Sequence, residues 1–130
     1  MIEQPTSPVL LSIDVKKYRI RVHKSTLHQL GDPSDILLLV NPSTRVVAVK
    51  SVDRRTSHNL SHRVPKKKLL SDKSIEIYSK SFIDLLNKLV PDLNDGFCYH
   101  MTGNVVPSER LALFDFNTLC PFPEGDSTCQ

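Results

Sequence analysis

The sequence predicts an α+β domain, mainly antiparallel β with two short helices, in which two β-α-β-β units repeat and intertwine around one interior. Three observations predict it. Residues 18–22 alternate in the strand period and run into a short helical pattern that Gly31 closes. Two apolar strand patterns joined by a Pro-containing turn follow at once. The same order returns after residue 74, where an offset of 55 places Ile20 on Ile75, Val22 on Ile77, Leu27 on Phe82 and Leu30 on Leu85. A chain of 130 residues has room for one core, and 39% apolar with 24% charged residues is a globular balance rather than a disordered one.

The elements follow in order. Leu10, Leu11, Ile13 and Val15 make a leading strand that hairpins through Lys16-Lys17. In Tyr18-Arg19-Ile20-Arg21-Val22, the residues Tyr18, Ile20 and Val22 share one strand face. Ser25 is the expected N-cap of a helix from Ser25 to Leu30, with Leu27 and Leu30 at helical spacing. Asp32-Pro33-Ser34-Asp35 turns the chain into Ile36-Leu37-Leu38-Leu39-Val40, a continuous apolar run expected of a strand covered on both faces. Asn41-Pro42-Ser43-Thr44 turns it again into Arg45 to Val49. In the second unit a helix from Ser81 to Val90 precedes Pro91, and Phe97 to Met101 and Leu111 to Phe114 are the paired strands. The divisions are a first half over 1–53, a basic linker over 54–73, a second half over 74–119 and a tail over 120–130.

The net charge of +3 conceals an uneven layout: +2 over 1–53, +6 over 54–73 and −5 over 74–130. The middle block carries Arg54, Arg55, Arg63, Lys66, Lys67 and Lys68 among few apolar residues. It reads as a solvated linker, and a polybasic segment of this kind also holds phosphates by displacing their counterions.

The pattern Ile20-x-Val22-x-Lys24-x-x-Leu27-x-x-Leu30-Gly31, followed by a turn with Asp35 and two strands, resembles the AbrB/MraZ swapped-hairpin family over about 35 residues. The resemblance implies an intertwined fold of two units, MraZ-like in layout, and a DNA-binding transcription regulator or antitoxin. AbrB-type proteins dimerise through one unit per chain, so a homodimer is also compatible with it. In that family the basic residues of the first strand and helix start approach DNA, which implies Arg19, Arg21 and Lys24 here. The matching positions of the second half are Ser74, Glu76 and Ser79, which carry no cation.

Other chemistries find little footing. His58-x3-His62 with Cys98-x-His100 has zinc-type ligands but neither a CxxC nor close ligand pairs. Asp92-x-Asn94-x-Gly96 opens like a calcium loop but places Phe97 and Gly103 where a glycine and an acid are needed. Four glycines at 31, 96, 103 and 125 make no phosphate cradle. No cysteine falls at an expected helix N-terminus, so no cofactor and no enzymatic activity are expected. Cys98, Cys120 and Cys129 are an odd set, which suits a reduced chain. Met1 to Val9 lacks the build of a signal peptide, and no apolar run approaches the roughly 18 residues of a membrane span. A cytoplasmic protein without membrane contact is the expectation. The functional expectation is a swapped-hairpin DNA-binding regulator that contacts the backbone through its first half and basic linker. The alternative is a non-enzymatic interaction protein, such as a phage or mobile-element accessory factor, whose acidic second half engages a protein partner.

Overall fold

The computed structural model describes residues 8–53, 61–67, 70, 72–93 and 96–121. In chain order they form β1 (Val9–Asp14), β2 (Arg19–His23), α1 (Lys24–Gln29), β3 (Asp35–Asn41), β4 (Val46–Val52), β5 (His62–Arg63), β6 (Ser74–Tyr78), α2 (Lys80–Leu89), β7 (Cys98–Val106), β8 (Leu111–Asp115) and β9 (Cys120–Pro121). The strands join one nearly closed, barrel-like antiparallel sheet in the order β5-β3-β4-β8-β7-β1-β2-β6, with β9 added to β7.

This order overturns the expected pair of β-α-β-β units. The β7–β8 hairpin lies between β4 and β1, and β1 lies between β7 and β2, so the two halves have different neighbours and share one sheet. The segment read as a leading strand is thus central. The 55-residue offset has another origin. β2 and β6 lie side by side, antiparallel, with Ile20 opposite Ile77 and Val22 opposite Ile75. Their patterns agree because neighbouring strands face the same interior, not because each begins a copy of one unit.

Alternation sends Leu11 and Ile13, Ile20 and Val22, Val47 and Val49, Ile75 and Ile77, and Ala112 and Phe114 inward, all of them almost fully buried. Both helices add to this core, α1 through Leu27 and the following Leu30, and α2 through Phe82, Ile83 and Leu86. β7 carries Gly103 where β8 comes closest: a Cβ there would meet the Leu113 carbonyl and stand 2.6 Å from Phe114 Cδ1.

The helix ends follow local chemistry. α1 starts at Lys24 rather than after a Ser25 cap, and its N-cap His23 makes no side-chain bond. The Lys24 N–H donates instead to the Lys73 carbonyl at 2.7 Å, a tertiary partner for one of the unpaired donors of the first turn. At the other end the Gly31 N–H donates to His28 and the Asp32 N–H to Leu27, the paired bonds of a Schellman motif, with Gly31 at φ +86°. α2 is capped by Ser79, whose Oγ accepts from Phe82 N at 3.2 Å.

Of the stretch read as a basic linker, the described residues His62 to Val64 are built into the sheet. His62 and Arg63 pair with Ile36 and Asp35, the Val64 N–H donates to the Ser34 carbonyl, and Val64 is buried. Cys98, expected to be reduced, is disulfide-bonded, whereas Cys120 is free and exposed. No helix among the described residues is long and apolar enough to cross a membrane. Gly103→Ala is expected to destabilise the fold by about 1–3 kcal/mol through overpacking against β8, seen as a lower urea midpoint with an unchanged slope.

Candidate anion-binding groove

The outer face of β6, β2, β1 and β7 is polar, and its side chains engage one another across the strands. Arg19 lies opposite Asp14 on β1, and its Nη2 is 3.3 Å from Asp14 Oδ2. Arg21 lies opposite Glu76 on β6, and its Nη2 donates to Glu76 Oε1 at 3.0 Å. Both guanidinium side chains are about nine-tenths covered. Arg19 and Arg21 do point from one side of β2, as the alternation required, but they meet carboxylates there instead of forming an open cationic face. Glu76, where the family comparison of the two halves found a missing cation, is the counterion of Arg21.

Glu76 is held below the usual carboxylate range, first by the Tyr78 hydroxyl, which donates to its Oε2 at 2.8 Å, and then by Arg21, while partial burial opposes both. Ser12 Oγ lies 3.2 Å from His23 Nε2. Burial pushes His23 below its ordinary value, with smaller contributions of the same sign from Arg21 and His100. His62 is lowered by burial alone.

A groove opens where β2 passes into α1. His23, Lys24, Ser25, His28, Asp32 and Lys73 line a cavity of about 510 Å³. A second cavity of about 200 Å³ adjoins it, lined by Lys24, Leu27, Asp32, Pro33, Val64, Lys66 and Leu70. Lys24 and Asp32 belong to both. Three local features build the groove. The Lys24 to Lys73 backbone bond draws the approach to β6 against the start of α1. Lys24 and His28 are four residues apart and share a helix face. The Schellman turn carries Asp32 back toward His28, where Nδ1 and Oδ2 stand 3.3 Å apart on the exposed surface. Three lysines around one aspartate give the paired cavities a positive balance. Lysine ammonium groups on flexible stems suit phosphate oxygens as point charges.

Of the other residues expected to meet nucleic acid, Arg63 is exposed on β5, and Lys66 and Lys67 are exposed in the turn after it. Arg54, Arg55 and Lys68 lie outside the described residues, as do His58 of the zinc reading and Asn94 of the calcium reading. Cys98 and His100 share the outer face of β7, and no group of three or more His, Cys, Asp or Glu among the described residues is placed to hold a metal. Lys73, His23 and His28 were not singled out from the sequence. The four-residue spacing of His28 from Lys24 carried a signal; the approach of Lys73 depends on the pairing of β2 with β6 and carried none.

The lowered groups predict acid lability. A histidine whose folded pKa lies below 6.5 is protonated more readily in the unfolded chain, so His23 and His62 withdraw stability as pH falls below about 6.5. Glu76, lowered from 4.5, withdraws more as pH falls through the carboxylate range. Urea midpoints measured from pH 8 to pH 3 are expected to fall in both windows, with Glu76→Gln flattening the lower and His23→Gln reducing the upper. Arg21→Met is expected to cost about 1.5–3 kcal/mol at pH 7, as loss of a charge-assisted bond.

A comparison of the chain with protein-family models, with curated proteins and with solved structures finds no match.

Proposed function

We propose that the chain is a DNA-binding regulator that holds the phosphate backbone in the groove lined by the start of α1 and by Val64, Lys66, Leu70 and Lys73. The supporting observation is the convergence of Lys24, Lys66 and Lys73 on two adjoining cavities from three separate stretches of sequence. Arg63 and Lys67, both exposed, extend the cationic surface along the same segment. Binding of this kind draws its free energy from counterion release and is steeply salt-dependent. Lysines and histidines on a short helix favour backbone grip over reading of base edges. Arg19 and Arg21 take no part, since each is engaged with a carboxylate. The regulatory role rests on the likeness of the Ile20 to Gly31 pattern to AbrB and MraZ proteins. It places the chain in the cytoplasm, where the Cys98 disulfide has to resist reduction.

The protein-interaction reading has weaker support. Two acids of the second half, Glu76 and Asp84, are paired with Arg21 and Lys80, which breaks up the acidic surface it needs. Partner capture that survives Lys66→Gln with Lys67→Gln would favour that reading.

Fluorescence anisotropy of labelled duplex DNA titrated with the full chain tests the proposal at about 50 and about 200 mM salt. Affinity is expected to fall steeply between the two, and Lys24→Gln and Lys73→Gln are each expected to reduce the slope of log K against log salt by about 0.9. Absence of binding at about 50 mM salt overturns the proposal.

A further inference from the structure

The smaller of the two cavities differs in character from the groove it adjoins. Its floor is apolar: Leu27, Pro33 and Val64 line it, and all three are buried. The Val64 N–H donates to the Ser34 carbonyl at 2.8 Å, which ties Val64 to the turn that carries Asp32 and Pro33 and holds the walls together. Leu70 stands at the rim, 84% exposed, the most exposed large hydrophobic side chain among the described residues. A leucine left in water at the mouth of an apolar hollow is surface that an occupant of the hollow would take out of water.

Size and polar groups narrow the occupant. A cavity of roughly 150 Å³ with apolar walls holds benzene, so the space of about 200 Å³ here takes a flat body of one or two fused rings and not a long acyl chain. The polar side chains on the same cavity are Lys24, Lys66 and Asp32. Guanine presents the complementary edge: O6 and N7 accept from lysine, while N1–H and N2–H lie side by side, as the two oxygens of one carboxylate require. Adenine and cytosine offer a carboxylate a single amino group, and thymine a single N–H. Asp32 Oδ2 stands 3.3 Å from His28 Nδ1, and because a carboxylate has about four acceptor positions, that contact leaves room for a base. Lys24 and Asp32 also line the groove, so a base in the small cavity leaves its own phosphate at the lysines of the larger one.

We infer that the paired cavities form one nucleotide site, which seats an unpaired guanine in the apolar cavity and its phosphate between Lys24 and Lys73. The inference rests on the phosphate-binding reading of the groove and adds that the DNA is held where one base is out of its pair. Proteins hold a base outside the stack with apolar side chains against its faces and hydrogen bonds to its edge. Leu27, Pro33, Val64 and Leu70 supply the first, and Asp32 with Lys66 the second.

Anisotropy titrations of the full chain at about 50 mM salt test this with three labelled probes: a duplex carrying one unpaired guanine, the same duplex with an abasic residue in its place, and the fully paired duplex. The guanine probe is expected to bind at least about tenfold more tightly than the other two, the equivalent of one bidentate base contact. Unlabelled guanosine monophosphate is expected to displace it at lower concentration than thymidine monophosphate does. Asp32 has a φ of +52°, which asparagine also accepts, so Asp32→Asn removes the carboxylate without straining the turn. It is expected to tighten the abasic probe, because a negative charge leaves the groove, and to abolish the guanine preference; loss of folding does not produce these opposite changes. Leu70→Ala, at an exposed position, is expected to reduce the preference and leave the abasic probe unchanged. Equal binding of the three probes overturns the inference while the groove reading stands, and a preference that survives Asp32→Asn overturns the assignment to guanine. Binding of guanosine monophosphate with all three DNA probes silent overturns the DNA reading and keeps the nucleotide site, with the free nucleotide as its source. Silence of every probe overturns both.

Discussion

The antiparallel pairing of β2 with β6 is the contact on which the rest of the molecule depends. Inside, it stacks Ile20 on Ile77 and Val22 on Ile75; outside, it sets Arg21 on Glu76. The two faces play different physical roles. Burial of four aliphatic side chains contributes about 1.5–3 kcal/mol each, as an upper estimate, whereas the ion pair loses much of its attraction to desolvation. What the pair supplies is register. A slip of one residue would turn every isoleucine outward and both arginines into the apolar interior, a state with no carboxylate to receive them. The Arg19–Asp14 pair fixes β1 against β2 in the same manner, and β1 in turn joins β2 to the β7–β8 hairpin.

Which parts of this were legible in the sequence follows from the range of the interactions. The Schellman turn at Gly31, the stop after Leu89 before Pro91 and the alternation of β2 and β6 depend on residues a few positions apart, and each can be read from the chain. The adjacency of β2 and β6 depends on contacts across more than 50 residues and has no such local mark. An offset of 55 aligned Ile20 with Ile75 as if the two were equivalent, yet antiparallel pairing puts Ile20 opposite Ile77. Similar periodicity is what any two strands lining one interior must show, so it cannot distinguish a copy from a neighbour. Glu76 makes the same point. Viewed as a position in a repeat it is a lost cation; viewed as a cross-strand neighbour it explains why Arg21 tolerates burial.

The groove illustrates a second limit. Lys24 and Lys66 stood out by their positions in the sequence, while Lys73 was only part of a charge total. Its place beside Lys24 results from the backbone bond between them, which exists because β6 continues the pairing with β2 as far as His23 and Ser74. The same strand pair therefore engages Arg21 with a carboxylate and delivers a lysine to the surface. Charge counted along the chain located the cationic region; only the pairing decides which cations reach solvent.

The outside of the barrel thus divides by how each arc satisfies its side chains. On β6, β2 and β1 the polar groups complete one another and need no partner. On β3, β4 and β8 the outward rows set Leu37, Leu39, Ala48, Leu111 and Leu113 among Asn41, Lys50 and Asp115, and Leu39 and Leu113 stay 46% and 39% exposed. β3 connects this second arc to the groove, because the turn from Gly31 to Ser34 leads straight from α1 into its first residue, Asp35.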